Sequence, residues 1–566
     1  MTLQWYRQDR EAVLAALARG ERPDMATTLS AGVVDELVAL HEELGVLPAL
    51  GALPTSRERT GVPDALLLRM LATLPFVAGA SLSGATETLV KEPAILLRLG
   101  WAPVHLREGT NGRHRHPEGR RAESLPCHPD TLRDALRRVA GQTWETMQRT
   151  GVQALYAHRA VRGQVYAVDG SGIGPDLRLV ALVCVSGERP LIVAWRLLEG
   201  SASEKGKEAS VTRALVEQAL ALGGAGRIRL LLADALYADG PLLAWLKYVH
   251  GIDALVPLPE DRLLYQDVAG LAAQGLIDWT AHCYTRTLQG HKQLRTVEVA
   301  SAGDLTSWDS FVEAAAQYGA PDATLWACVL REKDAPPDTL LPQGLVSTRP
   351  WPTGFAALQA YRPRWHVEDD TYRELKEGWG LEEQRWGRDS AAARGHLTLT
   401  CLAFNTAQVY RTRAGEHLAQ RGIRRLRRVH QPALGASPVV IYIAGCYAVL
   451  ALEDLLGVLG LPVRESLRPG PAPPRAPRVS FLCTCPQAPR ADGRSEHGPR
   501  GAPSPTQGDN TPLGAVVSSA ARACGGRTHA LLRAASAPNG ALSPTLPLRS
   551  PLSSAISNHL RGTTGS

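Results

Sequence analysis

The 566-residue chain has no apolar run that reaches the ~18 residues a bilayer-spanning helix needs. The longest candidate, residues 438–461, is broken by Gly445, Glu453 and Asp454, so no membrane partner is expected. The first ten residues carry charges with no apolar stretch behind them, and no secretory signal is expected. Cysteine is sparse and shows no paired framework: nine residues are scattered at positions 127, 184, 283, 328, 401, 446, 483, 485 and 524. An odd, dispersed set excludes a disulfide scaffold and points to free thiols in a reducing compartment. A glycine-rich phosphate loop of nucleotide-hydrolase spacing is also missing, so no nucleotide cofactor is implied. What remains is ordinary: 44% apolar and 21% charged residues exclude wholesale disorder, collagen-like repeats and a coiled-coil rod. The length suggests two to four domains.

The chain also lacks a real excess of positive charge where it matters. The formal net charge is +7, which would ordinarily hint at nucleic acid. Residues 467–566 hold 11 Arg, no Lys and three acids, a net +8. The other 466 residues carry 51 basic and 52 acidic side chains, a net −1. Whole-chain charge therefore does not argue for DNA binding by the folded part. The tail also holds 15 of the 40 prolines and no sustained periodicity. It reads as disordered, because it cannot bury enough apolar surface to offset ordering entropy.

Along the chain, residues 1–160 read as a helical N-terminal region. Arg10 to Arg19, Val33 to Leu44, Asp64 to Phe76, Leu82 to Leu99 and Asp130 to Val152 carry apolar residues at spacings of three and four. A polar Arg/His/Gly/Pro stretch from Arg107 to Pro129 reads as a loop. Residues 161–258 change pattern. Short apolar runs at Val165 to Val168, Leu179 to Val185 and Leu191 to Leu197 predict three strands, with a hairpin signal at Ser186-Gly187-Glu188. A helix at Val211 to Leu222, a strand at Ile228 to Ala233, a helix at Leu242 to Val249 and a strand at Ala254 to Leu258 follow. This describes an α/β fold with a mixed sheet and flanking helices. Residues 259–342 read as a β-rich insertion. Residues 343–466 return to a strand at Gly344 to Ser347, a long helix from about Pro363, another from Ser390 to about Thr412, and a helical or buried segment to Leu461.

Three acids stand where a sheet-based metal site would want them: Asp169 and Asp234, each at the end of a predicted strand, and Glu368 on the helix after Pro363. Converging carboxylates suit Mg²⁺ or Mn²⁺, hard ions that prefer oxygen ligands. Two such ions ~3.5–4 Å apart activate an attacking oxygen and stabilise a leaving one in phosphoryl transfer. At ~100° per residue, Arg364, Trp365, Glu368, Tyr372 and Leu375 share one helix face, whereas Asp369 and Asp370 do not. Arg364 is a natural phosphate ligand on that face. Each piece also has a plainer reading. Asp169-Gly170 could be a turn, Asp234 could be a local cap with Asp239 as a rival, and the Arg/Glu-rich helix could be a solvated face. Trp365 and Tyr372 could be plain core.

The combination resembles DDE transposases of the insertion-sequence-four type. The resemblance rests on Leu345-Val-Ser-Thr348, on Tyr361-x2-Arg364-Trp365-x2-Glu368, on Tyr372-Arg-Glu-Leu-Lys376, and on the settings Tyr-Ala-Val-Asp169-Gly and Leu-Leu-Ala-Asp234-Ala-Leu-Tyr. It implies a ribonuclease-H-like core with a β insertion between the second Asp and the Glu. It also implies Asp169, Asp234 and Glu368 as acids holding two Mg²⁺ or Mn²⁺ ions, and cleavage at element ends followed by strand transfer into target DNA. The partners would be terminal inverted repeats and target DNA, the assembly at least a dimer, and the location the cytoplasm, at the nucleoid. Tyr361, Arg364 and Lys376, with Trp365 beside them, would contact DNA. One spacing departs from the family: seven residues rather than six lie between Glu368 and Lys376, which on an α-helix turns the Lys by ~100°. Either Lys376 reaches back on its flexible stem or Asp369 is the third acid; the spacing of Tyr361, Arg364 and Trp365 favours Glu368.

Two basic stretches could meet phosphates as well: Arg424, Arg425, Arg427 and Arg428, and the Arg107 to Arg121 loop. His114, His116, Cys127 and His128 match no common zinc spacing. A nuclease that cuts without joining, and a DNA-binding relic of a mobile element that has lost catalysis, are the competing readings. An Lys-free, Arg/Pro/Ala/Ser-rich extension is also what an out-of-frame reading of a GC-rich gene would give; sequencing of the 3′ end that shows one intact frame would exclude that origin.

Overall fold

The structure is a computed structural model that describes residues 6–28, 33–55, 62–77, 82, 89, 93–108, 127, 129–174, 176–203, 207–288, 291–333, 343–382, 390–413, 422–424 and 438–461. Residues 467–566, most of the Arg107 to Arg121 loop with His114 and His116, His128, and Arg425, Arg427 and Arg428 lie outside the described residues.

The strands, numbered along the chain, are β1 (Arg7–Gln8), β2 (Met25–Thr28), β3 (Val165–Gly174), β4 (Leu177–Cys184), β5 (Leu191–Glu199), β6 (Leu230–Leu232), β7 (Asp253–Pro257), β8 (Thr280–Leu288), β9 (His291–Leu305), β10 (Leu325–Lys333), β11 (Gly344–Ser347), β12 (Val439–Ile443) and β13 (Cys446–Leu450). Nine of them form one mixed sheet in the order β5-β4-β3-β6-β7-β11-β10-β9-β8. The central β3-β6-β7 pairs are parallel and the flanking pairs antiparallel. Parallel neighbours need a crossover. Helices Ala209–Gly223 and Gly240–His250 supply the two crossovers and leave the sheet flanked by helices. The arrangement is consistent with the ribonuclease-H-like expectation. β4, read as Leu179 to Val185, is buried along most of its length and contributes an apolar run rather than an alternating one, as a central strand covered on both faces should.

Several expectations need correction. Asp169 does not end its strand: β3 runs on to Gly174, and Asp169 pairs with Ala181 inside the antiparallel ladder. Gly170 and Gly172 resemble a turn in sequence, yet β4 gives them partners at Val180 and Arg178. Residues 130–152 are two helices, Pro129–Arg137 and Gly141–Ala157, parted where Ala140 becomes extended. The stretch 259–342 contains helices Leu263–Ala273 and Asp309–Gln317 as well as β8, β9 and β10, and these strands continue the main sheet. The segment before Leu461, read as helical or buried, holds the β12–β13 hairpin, followed by helix Leu452–Val458. Its two turn residues, Ala444 and Gly445, both have positive φ, 49° and 75°. Such a tight hairpin turn is usually announced by Asn-Gly or Asp-Gly, so Ala-Gly gave little warning. β12 and β13 join β1 and β2 in a separate four-stranded sheet, which adds strands to an N-terminal region read as helical.

The helix Ser390–Arg413 organises the core. Almost every side chain from Ala392 to Arg411 is buried, the pattern of a helix enclosed on all sides. It packs against β5 on one side and against helices Gly141–Ala157, Pro129–Arg137 and Val33–Glu43 on others. Its buried polar groups are matched. Asn405 accepts from the Ile192 N–H at 2.9 Å and donates to the Ile192 C=O at 2.8 Å, standing in for a missing neighbour of edge strand β5. Thr406 donates to the Leu402 carbonyl and lies 2.7 Å from His41 Nδ1. The hydroxyl proton is thus used, so Nδ1 is the donor to Thr406, and Nε2 is a buried acceptor without a partner among the described residues. Burial alone lowers the His41 pKa to about 3.

That burial makes stability pH-dependent with a definite sign. Folded His41 stays neutral, whereas unfolded His41 takes a proton below its ordinary value near 6.5. The penalty is absent at pH 7.5, grows as pH falls below 6.5, and reaches roughly 5 kcal/mol only near pH 3. Urea midpoints measured from pH 7.5 to 4 should fall, and His41→Leu should flatten that dependence.

Candidate active site

The sheet delivers two acids to one place by different devices. Asp169 projects from the middle of β3; its Oδ1 accepts from the Gly170 N–H at 2.8 Å. Asp234 follows β6 and opens a single tight turn, Ala235–Tyr237, with its Oδ1 accepting from the Ala235 N–H at 2.7 Å. Asp239, the local rival, is the N-cap of helix Gly240–His250 and accepts from the Leu242 N–H at 3.0 Å. Both aspartates cap, Asp234 the short turn and Asp239 the helix, and of the two Asp234 lines the cavity at this site.

The third acid arrives on a segment that is not a simple α-helix. Helix Gly354–Tyr361 is capped by Thr353, and Pro363 lies in a tight turn, Arg362–Arg364, rather than at a helix start. Residues His366–Tyr372 form a π-helical stretch, and an ordinary helix resumes over Arg373–Trp379. The Arg373 N–H reaches the Glu368 carbonyl, an i→i+5 bond. A π turn takes one residue more than an α turn. It absorbs the additional residue between Glu368 and Lys376, so the expected rotation of Lys376 away from the acids does not occur.

Asp169, Asp234, Glu368 and Lys376 all line one cavity of about 530 Å³, together with Arg178, Glu208, Tyr237, Tyr372, Arg373 and Glu382 among others. Arg364, 5% exposed, stands beside two of these acids, with Nη1 2.7 Å from Glu368 and 3.8 Å from Asp169. Its guanidinium also faces the Trp365 ring, 5.0 Å from the centroid. Asp369 is turned outward and paired with Arg373 at 2.6 Å, and Asp370 pairs with His366. Glu368, not Asp369, is the acid in the cavity. Lys376 ends on Glu382 at 2.7 Å. Arg424 is exposed, and it is the one member of its basic run that is described. Tyr361 departs most from expectation. The resemblance sets it against DNA, but it is 3% exposed and donates its hydroxyl to the Ala233 carbonyl at 3.1 Å.

The electrostatics of the cavity are those of crowded acids short of positive charge. The Asp169 pKa is pushed up to about 6 by burial, with the charges of Glu368 and Asp234 adding to the rise and the Gly170 N–H and Arg364 opposing it. Among the described residues no three acid, histidine or cysteine side chains stand close enough, as placed, to hold an ion. The donor set nevertheless fits a hard cation: three carboxylates, no sulfur or imidazole, and one carboxyl driven toward protonation by burial, with its acidic neighbours adding to the rise.

Sequence reading missed three supports of this site. Glu208, 2% exposed, lies behind Gly170 and pairs with Arg178 at 2.6 Å; Arg178 in turn donates to the Ser203 carbonyl at 2.9 Å. Tyr237 is buried at the cavity wall with a hydroxyl that has no partner among the described residues. Glu374 accepts from Arg411 at 2.8 Å and from Gln408 at 3.4 Å, which ties the Glu368 segment to the central helix. Nothing in local spacing marks these residues: the partners of Glu208 and Glu374 are distant in the chain, and Tyr237 is placed by the fold alone.

Residues 196–406 match the family model described as the transposase DDE domain. The match supports a DDE transposase. The matched segment takes in Asp234, Glu368 and Lys376, while Asp169 stands ahead of it on β3. No curated protein matches the chain.

Gly170 is required by its neighbour: a Cβ there would fall 2.4 Å from Glu208 Cγ. Gly170→Ala should displace the Glu208–Arg178 pair and cost about 1–3 kcal/mol of stability, as overpacking does, read as a lower thermal midpoint.

Proposed function

We propose that this chain is a DNA transposase that cuts at the ends of its element and joins them to target DNA, with Asp169, Asp234 and Glu368 as its metal-holding acids. The observation that carries the reading is the convergence of these three acids, from well-separated parts of the chain, on one cavity. The transposase-domain match over the second and third acids supports it.

Asp169, Asp234 and Glu368 would hold a pair of Mg²⁺ or Mn²⁺ ions, which would supply activation of the attacking oxygen and stabilisation of the departing one. The protein's own contribution follows from its geometry. Arg364 holds the Glu368 carboxylate at 2.7 Å and offsets the charge crowded around Asp169. Lys376 brings a flexible cation to the cavity mouth, where a DNA phosphate can compete with Glu382 for it. Trp365, half-buried beside Arg364, offers a flat apolar face to the DNA. Arg424 and the basic residues after it add backbone contacts that hold the duplex without reading its sequence. Tyr361 is removed from the set of DNA contacts and given a structural task, since its hydroxyl is already engaged. Bringing two ends together calls for a dimer on DNA.

The test uses a duplex carrying the sequence that flanks the gene. The wild-type chain should nick it in Mg²⁺, and with pre-cut ends it should join them to a target plasmid. Asp169→Asn, Asp234→Asn and Glu368→Gln should each lower nicking by at least about 100-fold while end binding persists in a gel-shift assay. Full activity in any one of them removes that residue from the site; nicking without joining reduces the protein to a nuclease.

A further inference from the structure

We propose that Tyr372, aided by Tyr361, is a positioning residue that fixes where Glu368 stands relative to Asp169 and Asp234, an inference that rests on the metal-site reading above and locates its geometry in two phenol-to-backbone bonds.

The two tyrosines bracket Glu368 on its own segment; Tyr372 reaches the strand that carries Asp169, and Tyr361 the residue that precedes Asp234. Tyr372 is 4% exposed and donates to the carbonyl of Asp169 itself at 2.7 Å. The same oxygen lies 3.1 Å from the Leu179 carbonyl. One O–H proton serves one acceptor well, so the short bond to Asp169 is the principal one. The phenol is therefore set against β3 and β4 at the register where Asp169 faces Ala181. Tyr361 performs the corresponding task at the other acid. Its acceptor, the Ala233 carbonyl, belongs to the residue just before Asp234, past the end of the β6 ladder.

Between these two anchors lies the π-helical stretch His366–Tyr372. Rare backbone states of this kind persist where surrounding contacts determine them, and they concentrate at functional sites. Here the anchors hold both ends of the segment, while Glu374–Arg411 holds the helix that follows. A slip of the segment by one residue would lose both phenol bonds and carry Glu368 out of the cavity. Packing alone would be served as well by phenylalanine. The hydroxyls add two bonds to backbone groups, and those bonds specify register.

Tyr372→Phe and Tyr361→Phe keep each ring and remove each bond. Tyr410→Phe is the control, because its hydroxyl meets Glu36 away from the cavity. Mn²⁺ binding is read by calorimetry on the full chain without DNA, alongside the Mg²⁺ concentration giving half-maximal nicking, gel-shift affinity for the flanking duplex, and thermal midpoint. Both site variants should bind Mn²⁺ about tenfold more weakly or worse and need correspondingly more Mg²⁺, as loss of an outer support does. DNA affinity should be unchanged, and Tyr410→Phe should behave as wild type. A purely structural role would lower the thermal midpoint and the active fraction but leave metal affinity alone. Mn²⁺ affinity within about twofold of wild type in both variants overturns the inference. If one variant does not fold, the other decides. Failure of the wild-type chain to bind Mn²⁺ overturns the metal-site reading itself, and this inference with it.

Discussion

A carboxylate in the interior of a nine-stranded sheet must be compensated, and the rest of this site is arranged around that requirement at Asp169. Burial raises its pKa, and the nearby charges of Glu368 and Asp234 raise it further. Arg364 answers from one side, itself buried and shared between Asp169 and Glu368. On the far side of Gly170, Glu208 is neutralised by Arg178 before it can add a further negative charge to the cavity. Isolated buried charges are costly, and paired ones are costly to unpair. The network is therefore sensitive to loss of any single partner.

The same requirement explains the unusual backbone near Glu368. An acid on a helix is useful at a sheet only if the helix cannot slide. Tyr372 attaches the segment to β3 at Asp169, Tyr361 attaches it to the residue before Asp234, and Glu374 attaches its continuation to the central helix. The π turn lets Glu368 and Lys376 face one cavity despite their longer spacing. The central helix Ser390–Arg413 passes this order outward, through Asn405 to the edge strand β5 and through Thr406 to His41 in the N-terminal region. The site and the N-terminal helices are thus joined by one buried element.

Much of the fold was legible in the sequence where apolar runs are short and bounded. β4, β5, β6, β7 and β11, and the helices at residues 209–223 and 240–250, lie close to where their patterns placed them. Legibility failed where a strand looks like a turn, as at Asp169-Gly170-Ser171-Gly172, since only pairing with β4 and the close approach of Glu208 show why glycine is there. It failed again at Ala444-Gly445, a hairpin turn without its usual residues. Tyr372 could be read as core from its helical position, and it is buried. Its hydroxyl bond, 203 residues distant in the chain, has no local signature.

By itself, then, the sequence determined the local elements, the absence of a disulfide framework, the placement of the excess charge in the tail, and the three acids worth attention. The first three follow from composition and short-range periodicity, which the chain carries residue by residue; the acids were singled out by the resemblance of the motifs around them. Tertiary structure alone decided which acid at 368–370 faces the cavity, that Lys376 rejoins it through a π turn, and that the Tyr361 hydroxyl is bonded to the Ala233 carbonyl. Those outcomes depend on pairings between segments far apart in the chain. A hydrogen bond's direction and a helix's register are set by the partner that meets them, and no spacing within one segment encodes that partner.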